Sequence, residues 1–159
     1  MNKGVREQVF CITSMATRLS VVISKYENYE ICGFINSPFF QYSVPFRNTL
    51  GLLLKMNKMY DTLNFPQASF EYRSFYSKKG RELVPELEDI KMSEISQNES
   101  PQAKFIVHVQ FRQNATWQGT IQWVDAEKTQ HFRSTLEMLR LMEEALDSQQ
   151  SNTMNRFSE

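Results

Sequence analysis

Apolar and polar side chains alternate along residues 105–112, FIVHVQFR, which puts His108, Gln110 and Arg112 on the polar side. A period of two residues is typical of a β-strand with one buried face. After a turn at residues 113–115, residues 116–124 (TWQGTIQWV) alternate again. Both tryptophans fall on the apolar side, so we expect them in the core, the alternative being that they stack on bases. The pattern predicts a β-hairpin, followed by a short third strand at residues 128–132.

A helix is predicted directly after this third strand. Ser134 is a typical N-cap residue, and Glu137 three residues later indicates a capping box. The helix should run to about Asp147, because its apolar residues recur on one face, at Leu136, Leu139, Met142 and Leu146. Residues 105–147 therefore read as a βββα unit.

The same pattern occurs earlier in the chain. FRSTL at residues 132–136 repeats FRNTL at residues 46–50, and at an offset of 86 residues the segments 19–61 and 105–147 align without a gap. Eleven of these 43 aligned positions are identical. The sequence therefore predicts an α+β fold of two tandem βββα units in a pseudo-twofold arrangement, with antiparallel sheets packed on two helices.

The domain organisation follows from this repeat. The first βββα unit, with an N-terminal extension, covers residues 1–63, and the second covers residues 105–147. A linker at residues 64–104 contains a possible extra strand at 68–76. The tail at residues 148–159 lacks hydrophobic periodicity, which predicts disorder.

The composition of the chain argues against several classes of function. The chain has 18 basic and 18 acidic residues, so no strong overall field attracts a polyanion or a membrane. It contains no long apolar stretch of the kind found in secretion signals or membrane spans, and we expect a cytoplasmic protein with no membrane partner. No phosphate-binding glycine loop, nucleophile motif or metal-ligand spacing occurs. We therefore predict no catalytic residues, no metal site, no cofactor and no enzymatic activity.

The linker carries the candidate nucleic-acid site. Aromatic and basic residues interleave there, and such a mixture stacks on bases and holds phosphates. The candidate residues are Phe70, Tyr72, Arg73, Tyr76, Lys78, Lys79 and Arg81. The alternative is that this segment forms part of the core.

Arg47 and Arg133 occupy equivalent positions just before the two helices. A cation is disfavoured beside a helix N-terminus, so its presence in both copies suggests an anion site built with free backbone N–H groups. The alternative is that each arginine pairs with a turn carboxylate such as Asp125 or Glu127.

The first helix, residues 49–63, is apolar almost all round. Such a helix is buried from several sides, by the second helix or by another subunit, which makes a homodimer possible. The outer face of the first strands is also unusually apolar, with Val22, Tyr26, Cys32 and Phe34.

Two resemblances accompany these patterns. The duplicated sheet-then-helix plan over residues 19–147 resembles the Whirly and PUR-repeat regulators, which implies binding of single-stranded DNA or RNA. The stretch QNATWQGTIQW with FRSTLEML is similar to small uncharacterised proteins of Gram-positive anaerobic bacteria, which implies no activity. The leading hypothesis is a non-catalytic binding or regulatory module for single-stranded nucleic acid. The alternative is a protein–protein assembly factor that dimerises through its apolar helix.

Overall fold

A computed structural model describes residues 17–75 and 100–156 of the 159-residue chain. Three strands come first: β1 (Arg18–Glu27), β2 (Glu30–Ser37) and β3 (Phe40–Phe46). Helix α1 (Thr49–Leu63) follows. Then come β4 (Ala103–Phe111), β5 (Gln118–Trp123) and β6 (Lys128–Phe132), and finally helix α2 (Thr135–Arg156). The α+β content agrees with the sequence pattern.

All six strands belong to one antiparallel sheet with the order β3-β2-β1-β4-β5-β6. The prediction of two βββα units with their own sheets is therefore wrong. β1 and β4 pair directly, from Arg18 opposite His108 to Ile23 opposite Ala103. This pairing satisfies the backbone groups that each three-stranded piece would otherwise leave open along its inner edge.

One face of the sheet is covered by helices. α1 packs on β2 and β3, whereas α2 packs on β4, β5 and β6. The strands bury the apolar half of their alternating pattern against these helices: Leu19, Val21, Ile23, Ile35, Val44, Phe46, Phe105, Val107, Val109 and Ile121. Trp117 is buried and Trp123 packs partly buried against the same core, on the predicted side.

Each helix is bonded to the opposite half of the chain. Asp61 of α1 accepts a 2.6 Å ion-paired hydrogen bond from Arg112, just after β4. Asp147 of α2 accepts a 2.9 Å hydrogen bond from Tyr26 of β1, and Gln150 donates to the Tyr26 carbonyl. The two pairs are related by the offset of 86 residues. The two halves are thus joined by hydrogen bonds between their helices and strands, and they are not separate units.

A β-bulge in each half makes these contacts possible. The register shifts between Ile23 and Lys25 in β1, and between Val109 and Phe111 in β4. A bulge inserts one residue and so reverses the faces that follow it. For this reason Tyr26 and Arg112 lie on the helix-covered side, although strict alternation places them on the outer face.

Glycines stand opposite both bulges, where the strands approach most closely. A Cβ on Gly33 would lie 1.9 Å from the Val22 carbonyl oxygen, and one on Gly119 would lie 2.0 Å from that of His108. No side chain fits at such distances. The glycines shared by the two copies are therefore explained by close backbone approach.

The hairpin turns have a specific backbone geometry. Asn28 and Tyr29 both have positive φ, and so do Asn114 and Ala115. Two successive residues of this kind form a type I′ turn, whose twist matches that of paired strands.

Two segments differ from the predictions. α2 continues to Arg156, so residues 148–156 are helical and not disordered. The hydroxyls of Ser148, Ser151 and Thr153 satisfy their hydrogen bonding on carbonyls one turn earlier. In the possible strand at 68–76, the described residues show only an isolated bridge from Ala68 to Arg112.

Candidate binding surfaces

The sheet has a second face, which points away from the helices. Cross-strand pairing sets its side chains in rows, one of which runs from Arg18 through His108 and Thr120 to His131. The next row runs from Ser20 through Ile106 and Gln122 to Thr129. We call the following set the polar sheet face: Arg18, Ser20, Lys104, Ile106, His108, Gln110, Gln118, Thr120, Gln122, Thr129 and His131.

The charged residues of the polar sheet face are all basic. None of its residues is acidic, although the chain has as many acidic as basic residues. Arg18 and Lys104 are exposed and cationic. Partial burial lowers the pKa of His108, with a further contribution from the Arg18 charge, and both effects favour the neutral imidazole. This face therefore presents positive charge and uncharged hydrogen-bonding groups.

The rest of the outer face, around β2 and β3, has a different character. Phe34 is only 8% exposed and Pro45 is buried, while Val22 and Cys32 are half-buried. These apolar side chains offer few hydrogen-bonding groups to a polar ligand. The second half of the sheet, with β1 beside it, is thus the better ligand surface.

The predicted nucleic-acid segment is described as far as residue 75. Phe70 and Tyr72 pack edge to face at 5.0 Å, and the Tyr72 hydroxyl donates to Asn57 of α1. Tyr72, Arg73 and Phe75 are exposed. This part of the segment is a surface feature. The remaining predicted residues, Tyr76, Lys78, Lys79 and Arg81, lie outside the described residues.

Arg112 anchors this segment against α1. Its side chain is 2% exposed and donates from Nε to the Pro66 carbonyl at 2.7 Å. Its guanidinium also reaches Asn57 and Asp61, and its carbonyl accepts from the backbone N–H of Ser69. These bonds hold the start of the segment on the helix-covered side. Up to residue 75, the structure therefore does not bring the segment and the polar sheet face together.

The two predicted anion-site arginines have different surroundings. The Arg133 guanidinium bonds to the Glu137 carboxylate at 2.8 Å, and the Arg133 backbone N–H also donates to it. This pairing raises the pKa of Arg133 and lowers that of Glu137. Glu137 thus occupies the place that an external anion would take.

In the first half, the residue equivalent to Glu137 is Gly51. Asn48 caps α1 by accepting from the Gly51 N–H at 2.7 Å, as the sequence predicts. Ser134 caps α2 in the same way, accepting from the Glu137 N–H at 3.1 Å.

Helix α1 is apolar on more sides than its own sheet covers. Leu52, Met56 and Met59 are fully buried. Leu50 is 65% exposed and Leu54 is 38% exposed, one turn further along the same side. Leu136, at the equivalent position in α2, is 67% exposed. The helix layer therefore leaves leucines in water at the start of both helices.

Sequence reasoning missed the buried Arg112 cluster and its partner pair at Tyr26. The available signal was that both copies of the repeat carry aspartate at the equivalent positions 61 and 147. An exposed helix face alone does not require the same residue in both copies. Over the described ranges, no cluster of three or more His, Cys, Asp or Glu side chains is placed to bind a metal ion. No described helix is long and apolar enough to cross a membrane.

Comparison of the chain with protein-family models, with curated proteins and with solved structures finds no match in any of the three. The chemistry of the surfaces is accordingly the basis for assigning a function.

Proposed function

We propose that this protein is a non-catalytic binding module for single-stranded nucleic acid, and that the polar sheet face is its binding surface. The observation that carries the proposal is the absence of acidic residues from that face in a chain of zero net charge. A polyanion meets the exposed Arg18 and Lys104 side chains there. The Asp125 carboxylate, in the turn after β5, is held by the Lys104 backbone N–H at 2.9 Å.

The neutral groups of the face suit exposed bases. Amides and hydroxyls such as Gln122 and Thr120 both donate and accept, so they can bond to the edges of unpaired bases. His108 offers a flat ring for stacking, and its neutral form, which the lowered pKa favours, offers one donor and one acceptor. A single strand exposes all of these base groups, whereas a duplex hides most of them in pairing.

Fluorescence anisotropy with a labelled single-stranded oligothymidine and its RNA counterpart tests the proposal. We expect binding at low salt, weakening as salt rises with a slope of about −0.7 per phosphate contact. The double variant Arg18→Glu/Lys104→Glu should bind at least about tenfold more weakly, because two phosphate contacts become repulsive.

Arg140→Glu is the matched control, since Arg140 is an exposed cation on α2 on the opposite side of the sheet. It should leave binding unchanged. The proposal fails if the wild-type protein gives no anisotropy change at low salt, or if both charge reversals weaken binding equally. Arg73→Glu shows separately whether the segment at residues 70–75 also contacts the strand.

A second candidate function, homodimeric assembly, is supported by the exposed leucines of α1. Leu50 and Leu54 lie one turn apart and would be buried if two copies met through this helix. Light scattering across a concentration series checks this reading. A dimer that Leu50→Glu/Leu54→Glu converts to a monomer supports it, and a wild-type monomer at all concentrations excludes it.

A further inference from the structure

A cleft of about 340 Å³ lies between α2 and the outer strands β5 and β6, on the helix-covered side of the sheet. Its floor is apolar and is formed by Phe105, Ile121, Trp123, Leu141 and Ala145. Its rim is polar and includes Lys128, Gln130, Glu144 and Ser148. An apolar floor with a few polar groups at the rim is typical of a small-molecule site.

The equivalent place in the first half is filled differently. Lys55 of α1 occupies the position of Leu141, and its Nζ donates to the Pro45 carbonyl of β3. Its buried side chain therefore lies across the space between α1 and the edge strand. The shorter Leu141 cannot reach β6 in this way, which leaves the cleft of the second half open.

Trp123 contributes an unsatisfied donor. Its indole Nε1 is buried and has no hydrogen-bond partner among the described residues. A buried N–H without a partner is costly, and a ligand that brings an acceptor to this position would relieve that cost. Lys128, which pairs with Trp123 across β5 and β6, adds an exposed ammonium group at the same end of the cleft.

We propose that this cleft binds a small apolar monocarboxylate, such as a medium-chain fatty acid. The apolar chain packs on Phe105, Ile121 and Leu141. The carboxylate accepts from Trp123 Nε1 and pairs with Lys128 on the strand side of the rim. Glu144 on the helix side disfavours the reverse orientation by like-charge repulsion. The site is on the opposite side of the sheet from the polar sheet face and stands independently of nucleic-acid binding.

Isothermal titration calorimetry with decanoate tests the site in the full chain. We expect binding by the wild-type protein and about tenfold weaker binding by Lys128→Gln, which removes the charge-assisted contact. Trp123→Phe keeps the aromatic floor but removes the donor, and should weaken decanoate by a similar factor. Lys25→Gln changes an exposed lysine of β1, remote from the cleft, and should have no effect.

Decanol distinguishes a carboxylate-binding site from a nonspecific apolar site, since it has the same alkyl chain as decanoate without the charge. The proposal predicts that decanol binds at least about tenfold more weakly than decanoate and does not respond to Lys128→Gln. Equal affinity for the two ligands overturns the proposal, and so does the absence of decanoate binding to the wild-type protein. Urea unfolding of ligand-free Trp123→Phe should show no loss of stability, which excludes misfolding as the cause of weak binding.

Discussion

Replacing Gly119 with alanine tests the close contact between β4 and β5 at the bulge. The added Cβ would lie 2.0 Å from the His108 carbonyl oxygen and 3.1 Å from the Val109 Cα, whereas ordinary contacts begin at 3.4 Å. Both neighbours are backbone atoms, so no side-chain rotation relieves the clash. The strands must separate by about 1 Å or more at a point where Val109 is fully buried.

We expect the free energy of unfolding to fall by about 3 kcal/mol, at the upper end of the usual cost of overpacking. For a chain of this size the midpoint of thermal unfolding should drop by about 6–12 °C. Urea titration followed by tryptophan fluorescence measures the change directly, because Trp117 and Trp123 flank this region of β5.

Gly51→Ala is the matched control for the same chemical change. The atom nearest to its Cβ would be the Asn48 side-chain oxygen, at 3.1 Å, with Asn48 Cγ and Phe46 Cβ at 4.0 Å. The close neighbour is a side-chain atom that can shift, and alanine is the better helix former by about 1 kcal/mol. It should shift stability by less than about 1 kcal/mol. A Gly119→Ala protein within about 0.5 kcal/mol of wild type would refute the reasoning, because that is the scatter of ordinary surface substitutions.

Three further outcomes are expected. Ala115→Gly should stabilise the protein by about 1 kcal/mol in thermal unfolding, since Ala115 has φ of 57° and pays a steric cost that glycine avoids; a loss would contradict the turn geometry. Arg112→Met should cost about 3 kcal/mol in urea unfolding, because it leaves buried acceptors unpaired, and Asp61→Asn should cost less because Asp61 is half-exposed. Burial and, second, the Asp147 contact raise the pKa of Tyr26 from 10.0 to about 12. The contribution of the protonated Tyr26 hydroxyl to the free energy of unfolding is therefore constant below pH 10 and is lost as pH rises through 12. Tyrosinate absorbance against pH, compared with Tyr26→Phe, would show a residue titrating near pH 10 if this is wrong.

The strands, turns and helix caps were accessible from the sequence because they depend on neighbouring residues. Alternation at residues 105–111 and the caps at Asn48 and Ser134 are local patterns with direct physical causes. The pairing of β1 with β4 is not local. Alternation states which face of a strand is buried, but a strand's neighbour depends on backbone edges far apart in the chain, and so two sheets were predicted where one forms.

The two β-bulges explain why some side chains were predicted on the wrong face of the sheet. A single inserted residue moved Tyr26 and Arg112 to the other face, and nothing in the alternating pattern before them signals this change. The same limit affects the polar sheet face. All its members except Ile106 are polar in the sequence, yet Arg18 and Lys104 share one surface only because β1 pairs with β4.

The central pairing has a consequence for the order of folding. β1 and β4 join residues that are distant in sequence, since Ile23 pairs with Ala103, 80 positions later. Closing so long a loop costs conformational entropy before any contact compensates for it, whereas each hairpin closes through a connection of two to six residues. We expect pulse-labelled hydrogen exchange to show protection of the hairpin amides before the amides shared by β1 and β4. The middle of the sheet should therefore be the last part of its backbone to assemble.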